Sequence, residues 1–154
     1  MQRRKMDLIG RKFFLGTVLR ILLAVVLLVP VSGIASSQNR ILFHLTESHN
    51  VGLLIESLKV YLNQLPDPAN AVVVVVAHGP AVGKLVNLPS RATVYKEDIE
   101  ALQKQGVSFE ACALMMRSME LDKGRLLPGV TYLEAGGLAR VLQLQADGFT
   151  YIHM

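Results

Sequence analysis

Only one cysteine, Cys112, occurs in 154 residues, so no disulfide can close within the chain and no zinc site can rest on paired cysteines. Neither G-x-G-x-x-G nor a Walker sequence is present, which removes two well-defined phosphate-binding loops. No Ser/His/Asp hydrolase elbow and no paired-carboxylate arrangement stands out. Internal repeats and low-complexity tracts are also missing. Charge is sparse, at 18% of residues against 51% hydrophobic.

The net charge of +4 belongs to one end of the chain. Six of the sixteen Lys/Arg and one of the twelve acids precede residue 38, leaving ten basic and eleven acidic residues beyond it. A nucleic-acid partner inferred from the total is therefore excluded: the remainder has no basic stripe and no basic-aromatic alternation.

That first stretch has a pattern of its own. Arg3, Arg4, Lys5, Arg11, Lys12 and Arg20 lead into an apolar run from Ile21 to Val31, and Gly33, Ala35, Ser36 and Ser37 follow. A charged region, an apolar region and a small-residue exit are the parts of a secretory signal. We read residues 1–37 as that signal, with a retained membrane anchor as the alternative. The run ending at Ile34 falls short of the roughly 20 residues that a bilayer span needs. Export to the periplasm is the expected destination, and contact with a membrane is expected only through an uncleaved leader. About 117 residues remain, enough for one domain, 38–154, with its own core.

From residue 40 the apolar runs alternate with helical stripes. Strands are predicted over 40–46, 71–77, 107–111, 130–133 and 149–153. Val51, Leu54, Ile55, Leu58, Tyr61 and Leu62 mark a first helix by their three- and four-residue steps, with Ser48 or Asn50 as its cap. Tyr95, Ile99 and Leu102 mark a second helix, Leu138, Val141 and Leu142 a last one, and a short helical turn follows Cys112. The five-valine run after Asn70 suits a central strand of a parallel sheet covered on both faces. The fold class is α/β: a flavodoxin-like three-layer fold with a mostly parallel five-stranded sheet.

Three chemically capable side chains close three of these strands: His44, His78 and Cys112. If the strands are neighbours, all three lie at the carboxyl edge, where open α/β sheets bind ligands. Amide hydrogens at the start of the turn after Cys112 favour a thiolate, while apolar Ala111, Ala113, Leu114 and Met115 oppose it. Two imidazoles and a thiolate would suit zinc or copper. Their equal spacing of 34 residues reflects the strand–helix–strand repeat instead, so no metal and no cofactor is assigned. Gly136-Gly137 ahead of the last helix reads either as an anion-binding nest or as a close backbone contact.

Several segments carry a family resemblance: Ile41-Leu42-Phe43-His44, Val76-Ala77-His78-Gly79, Gly106-Val107-Ser108-Phe109-Glu110-Ala111-Cys112, Leu126-Leu127-Pro128-Gly129-Val130, Ala135-Gly136 and the stretch from Leu142 to Ile152. In order and spacing they resemble the DsrE/DsrF-like family of sulfur-relay proteins, and in particular its small members with an export signal. The resemblance implies a flavodoxin-like domain that forms homo-oligomers. It also implies a cysteine, here Cys112, that receives sulfane sulfur as a persulfide and passes it on. Met115-Met116 departs from the Thr-Leu pair often found there. Export would put cytoplasmic relay partners out of reach, which argues against sulfur delivery to RNA modification.

The expected function is a periplasmic sulfane-sulfur carrier or binding protein. Cys112 is the acceptor, His44, His78, Gly79, Ala113, Leu114 and Gly136 are the binding residues, and donor and acceptor are proteins or small thiols. The alternative is a non-catalytic oligomeric scaffold, or a small-ligand or metal-binding module. Whether turnover occurs is left open by the sequence. The carrier expectation carries a geometric one, that the sulfur sits in an open, electropositive pocket.

Overall fold

The computed structural model describes residues 39–88 and 94–154; the expected leader, residues 1–37, lies outside them. Five strands form one sheet: β1 (Asn39–Leu45), β2 (Ala71–Ala77), β3 (Val107–Cys112), β4 (Thr131–Leu133) and β5 (Thr150–His153). All are parallel, in the order β4-β3-β2-β1-β5. Between them run α1 (Val51–Gln64), α2 (Lys96–Lys104), α3 (Ala113–Ser118) and α4 (Gly137–Ala146). None of the helices among the described residues is long and apolar enough to cross a membrane.

Strand order dictates which face each helix covers. From β1 to β4 the chain steps in one direction across the sheet, then returns past β1 to lay down β5. Right-handed crossovers put the helices of the outward steps on one face and the helix of the return on the other. The buried clusters follow that division. Leu54, Ile55 and Leu58 of α1, Ile99 and Leu102 of α2, and Met116 of α3 pack with Phe43, Val73, Val75 and Phe109. Val141 and Leu144 of α4 pack on the opposite face, against Leu42, Val74 and Val76. Consecutive valines of β2 thus serve opposite layers, and their two-faced burial forces the strand to be apolar throughout.

One local detail differs from expectation. Asn50 precedes α1, but its side chain makes no capping bond, because Ser48–Asn50 has already wound into a 3-10 turn. On α2, Glu100 pairs with Lys96 at 3.9 Å. The sheet, expected to be mostly parallel, is parallel in every pairing described.

Candidate functional site

The carboxyl ends of β3 and β4 part company. The chain leaves β3 toward α3 on one face and leaves β4 toward α4 on the other. Such a switch point is where open α/β sheets bind their ligands. Cys112 ends β3 and occupies the N-cap of α3. Gly136 occupies the N-cap of α4. A methyl built on Gly136 would stand 4.0 Å from the Cys112 sulfur. One on Gly137 would stand 3.3 Å from Cys112 Cβ, 3.5 Å from Val76 Cγ1 and 3.6 Å from His78 Cβ. The start of α4 therefore rests on Cys112 and His78 together, and the close-contact reading of Gly136-Gly137 is met.

The expectation of an open pocket is not met. Cys112 is only 1% exposed and joins the larger apolar cluster. It is the final residue of a strand flanked by β2 and β4, with a helix start laid over it, so both layers contribute to covering it. Ala113 is buried as well, whereas Leu114 is 56% exposed; Leu114 starts the outward face of α3.

The histidines gather one and two strands away. His78 follows β2 and His44 lies on β1, and their rings stack at 5.8 Å between centroids, 13° from parallel. A third ring, His153, is in register with His44 across the β1–β5 pair and lies 5.6 Å from it. Tyr151 Oη is 3.0 Å from His44 Nδ1, and Thr46 Oγ1 is 3.2 Å from His153 Nε2. His44 Nε2 is buried with no hydrogen-bond partner among the described residues. Gly79, at φ +58°, turns the chain beneath this group, where a methyl would meet the Thr46 carbonyl oxygen at 3.2 Å. Among the described residues no set of three or more His, Cys, Asp or Glu is arranged to hold a metal ion.

Burial holds the His44 imidazole below its ordinary 6.5, and the positive charges that His78 and His153 would carry push it the same way. Both effects favour the neutral ring. Below about pH 6.5 the unfolded chain takes up a proton that the folded ring resists, so stability falls as pH drops through the folded-state value; above 6.5 this group contributes no slope. Urea midpoints at about pH 7.5 and about pH 5.5 should show a smaller acid loss in His44→Gln than in the unsubstituted chain. Equal losses would remove His44 as the source.

A two-pronged ion pair lies beside the cysteine on β3. Glu110, 5% exposed, receives Arg140 Nε on Oε2 at 2.8 Å and Nη2 on Oε1 at 3.0 Å. That bond raises Arg140 above its ordinary value, with burial opposing. Sequence reasoning missed Glu110, Arg140, Tyr151 and His153 as parts of the site. A lone carboxylate inside an apolar strand was the available signal for Glu110. The two-residue step of Tyr151 and His153 on one strand face was the signal for that pair, and Arg140 carried none.

A family model described as the DsrE/DsrF-like family matches residues 31–154. Among solved structures, the protein of unknown function MTH1491 from Methanobacterium thermoautotrophicum is 29% identical, with a TM-score of 0.65, over 75% of this chain and 98% of that one. The YchN protein from E. coli has a TM-score of 0.56 at 15% identity, over 75% of this chain and 99% of its own, a likeness of fold. No curated protein matches the chain.

Proposed function

The chain belongs to the DsrE/DsrF-like family, a family of sulfur-relay type, and from that premise we propose that it is an exported carrier of sulfane sulfur with Cys112 as the acceptor. The observation that carries the reading is the coincidence of the chain's one thiol with the β3–β4 switch point, against the start of α4. The thiolate attacks the outer sulfur of a donor persulfide, R–S–SH. The donor S–S bond breaks, RS⁻ leaves and Cys112 carries –S–SH, so the sulfur changes hands without an external oxidant. The positive end of α4 favours the anionic sulfur species on either side of that step. Burial keeps water and stray thiols from the loaded persulfide between transfers. His78, whose Cβ lies at the same glycine, is the nearest imidazole to the start of α4 and supplies a polar contact or a proton.

Export rests on the basic, apolar and small-residue order of residues 1–37. Assembly with like chains is part of the same proposal, and would cover Leu138, Leu142, Tyr151 and Ile152, which stand exposed on α4 and β5.

Incubation with a small persulfide donor is expected to add about 32 mass units to the intact protein, removable by reductant and absent in Cys112→Ala. An unmodified mass would count against the carrier. It would favour a second reading, which the burial of Cys112 supports: an oligomeric scaffold that keeps the fold around an inert thiol.

A further inference from the structure

Apolar contacts hold a helix on a sheet without fixing its register, whereas a two-pronged ion pair fixes both distance and direction. On its face of the sheet, α4 has both kinds. Val141 and Leu144 supply the apolar contact. At the far end, Arg40 Nη1 donates to the Asp147 carbonyl at 3.1 Å. Near the start, Arg140 grips both oxygens of Glu110, and its backbone N–H reaches the Gly136 carbonyl at 3.4 Å.

Glu110 and Cys112 are two residues apart on β3, so they project on one face. Gly136 and Arg140 are one turn apart on the helix above. The four form a closed loop: Glu110 to Arg140, up one turn to Gly136, down to the Cys112 sulfur and back along β3. Fixing one side of that loop fixes the other. A charge pair that buries Glu110 and partly covers Arg140 is poorly explained by stability alone, since an apolar pair often serves as well, and setting a register is the best-attested use for one.

We infer that the Glu110–Arg140 fork is the positioning pair of this site: it holds the start of α4 over Cys112 and sets how often the sulfur is reachable. This deepens the carrier reading and takes its biological meaning from it. Loading then requires the α4 start to lift, and the fork opposes that motion.

The test is the rate at which iodoacetamide alkylates Cys112 in the folded, full-length protein, read by intact mass. Glu110→Gln and Arg140→Lys are compared with Leu54→Ala, a core change on the opposite face, each at urea concentrations giving equal global stability. At that match the fork variants should alkylate about tenfold faster or more than the control, with a rate nearly flat in low urea, as local opening requires. Glu110→Gln keeps the side-chain shape and provides the comparison if Arg140→Lys fails to fold. Equal rates at equal stability would overturn the inference and leave the fork a general structural contact. A wild type that alkylates but never gains sulfur would count against the carrier reading, while the alkylation comparison still decides the role of the fork.

Discussion

Arg140→Ala is expected to cost the domain about 3 kcal/mol, the lower end of the loss that follows when one partner of a buried pair is removed, because Arg140 keeps 29% of its side chain exposed. The reason lies in what remains. Glu110 sits on β3 between β2 and β4, 5% exposed, and both of its oxygens are held by Arg140. Without the guanidinium, the carboxylate is left buried without its partner or must pull its strand toward water. Urea unfolding should show a lowered midpoint with little change in slope, because the surface exposed on unfolding is almost the same. Glu110→Leu combined with Arg140→Met should lose much less than Arg140→Ala alone, since neither charge is then stranded. A loss below about 1 kcal/mol for Arg140→Ala would mean that Glu110 reaches solvent after all, as surface pairs do.

Much of the layered architecture was legible in the sequence because each strand carries its own evidence. The valines of β2 and the run Ile41-Leu42-Phe43 of β1 are apolar on successive residues, which only a strand covered on both faces requires. The stripe from Val51 to Leu62 marks α1 equally well. What the sequence did not carry is the order of the strands. Nothing local in Thr150–His153 says that β5 pairs with β1 and not with β4, because that choice is made by crossing the whole sheet. The site inherits this limit. Cys112 and Gly136 were each picked out as loop-edge features, but their contact depends on α4 lying on the face opposite α3, which follows from the return crossing. The burial of Cys112 has the same origin, as does the proximity of His153 to His44, residues 109 positions apart that meet only through the β1–β5 register. Among the missed residues Glu110 had the most telling sequence context: a carboxylate in the middle of an apolar strand requires a partner.

Gly136→Ala is expected to cost about 1–3 kcal/mol, from backbone strain alone. Gly136 adopts φ +88° and ψ +159°, a region that is essentially closed to residues with a Cβ. The new methyl itself would be tolerated, since 4.0 Å from the Cys112 sulfur is ordinary contact. Its neighbour reverses the terms. Gly137 has no such conformation to defend, and as the first residue of α4 it would gain up to about 1 kcal/mol of helix propensity as alanine. Its methyl, however, would stand 3.3 Å from Cys112 Cβ, an atom fixed by the backbone of β3. Gly137→Ala should therefore lose less stability than Gly136→Ala while displacing the α4 start from the cysteine, and urea midpoints together with the Cys112 alkylation rate separate the two effects. If both variants lost the same stability, the backbone of Gly136 would not be the constraint. The turn after β4 would then owe its glycines to proximity and not to conformation.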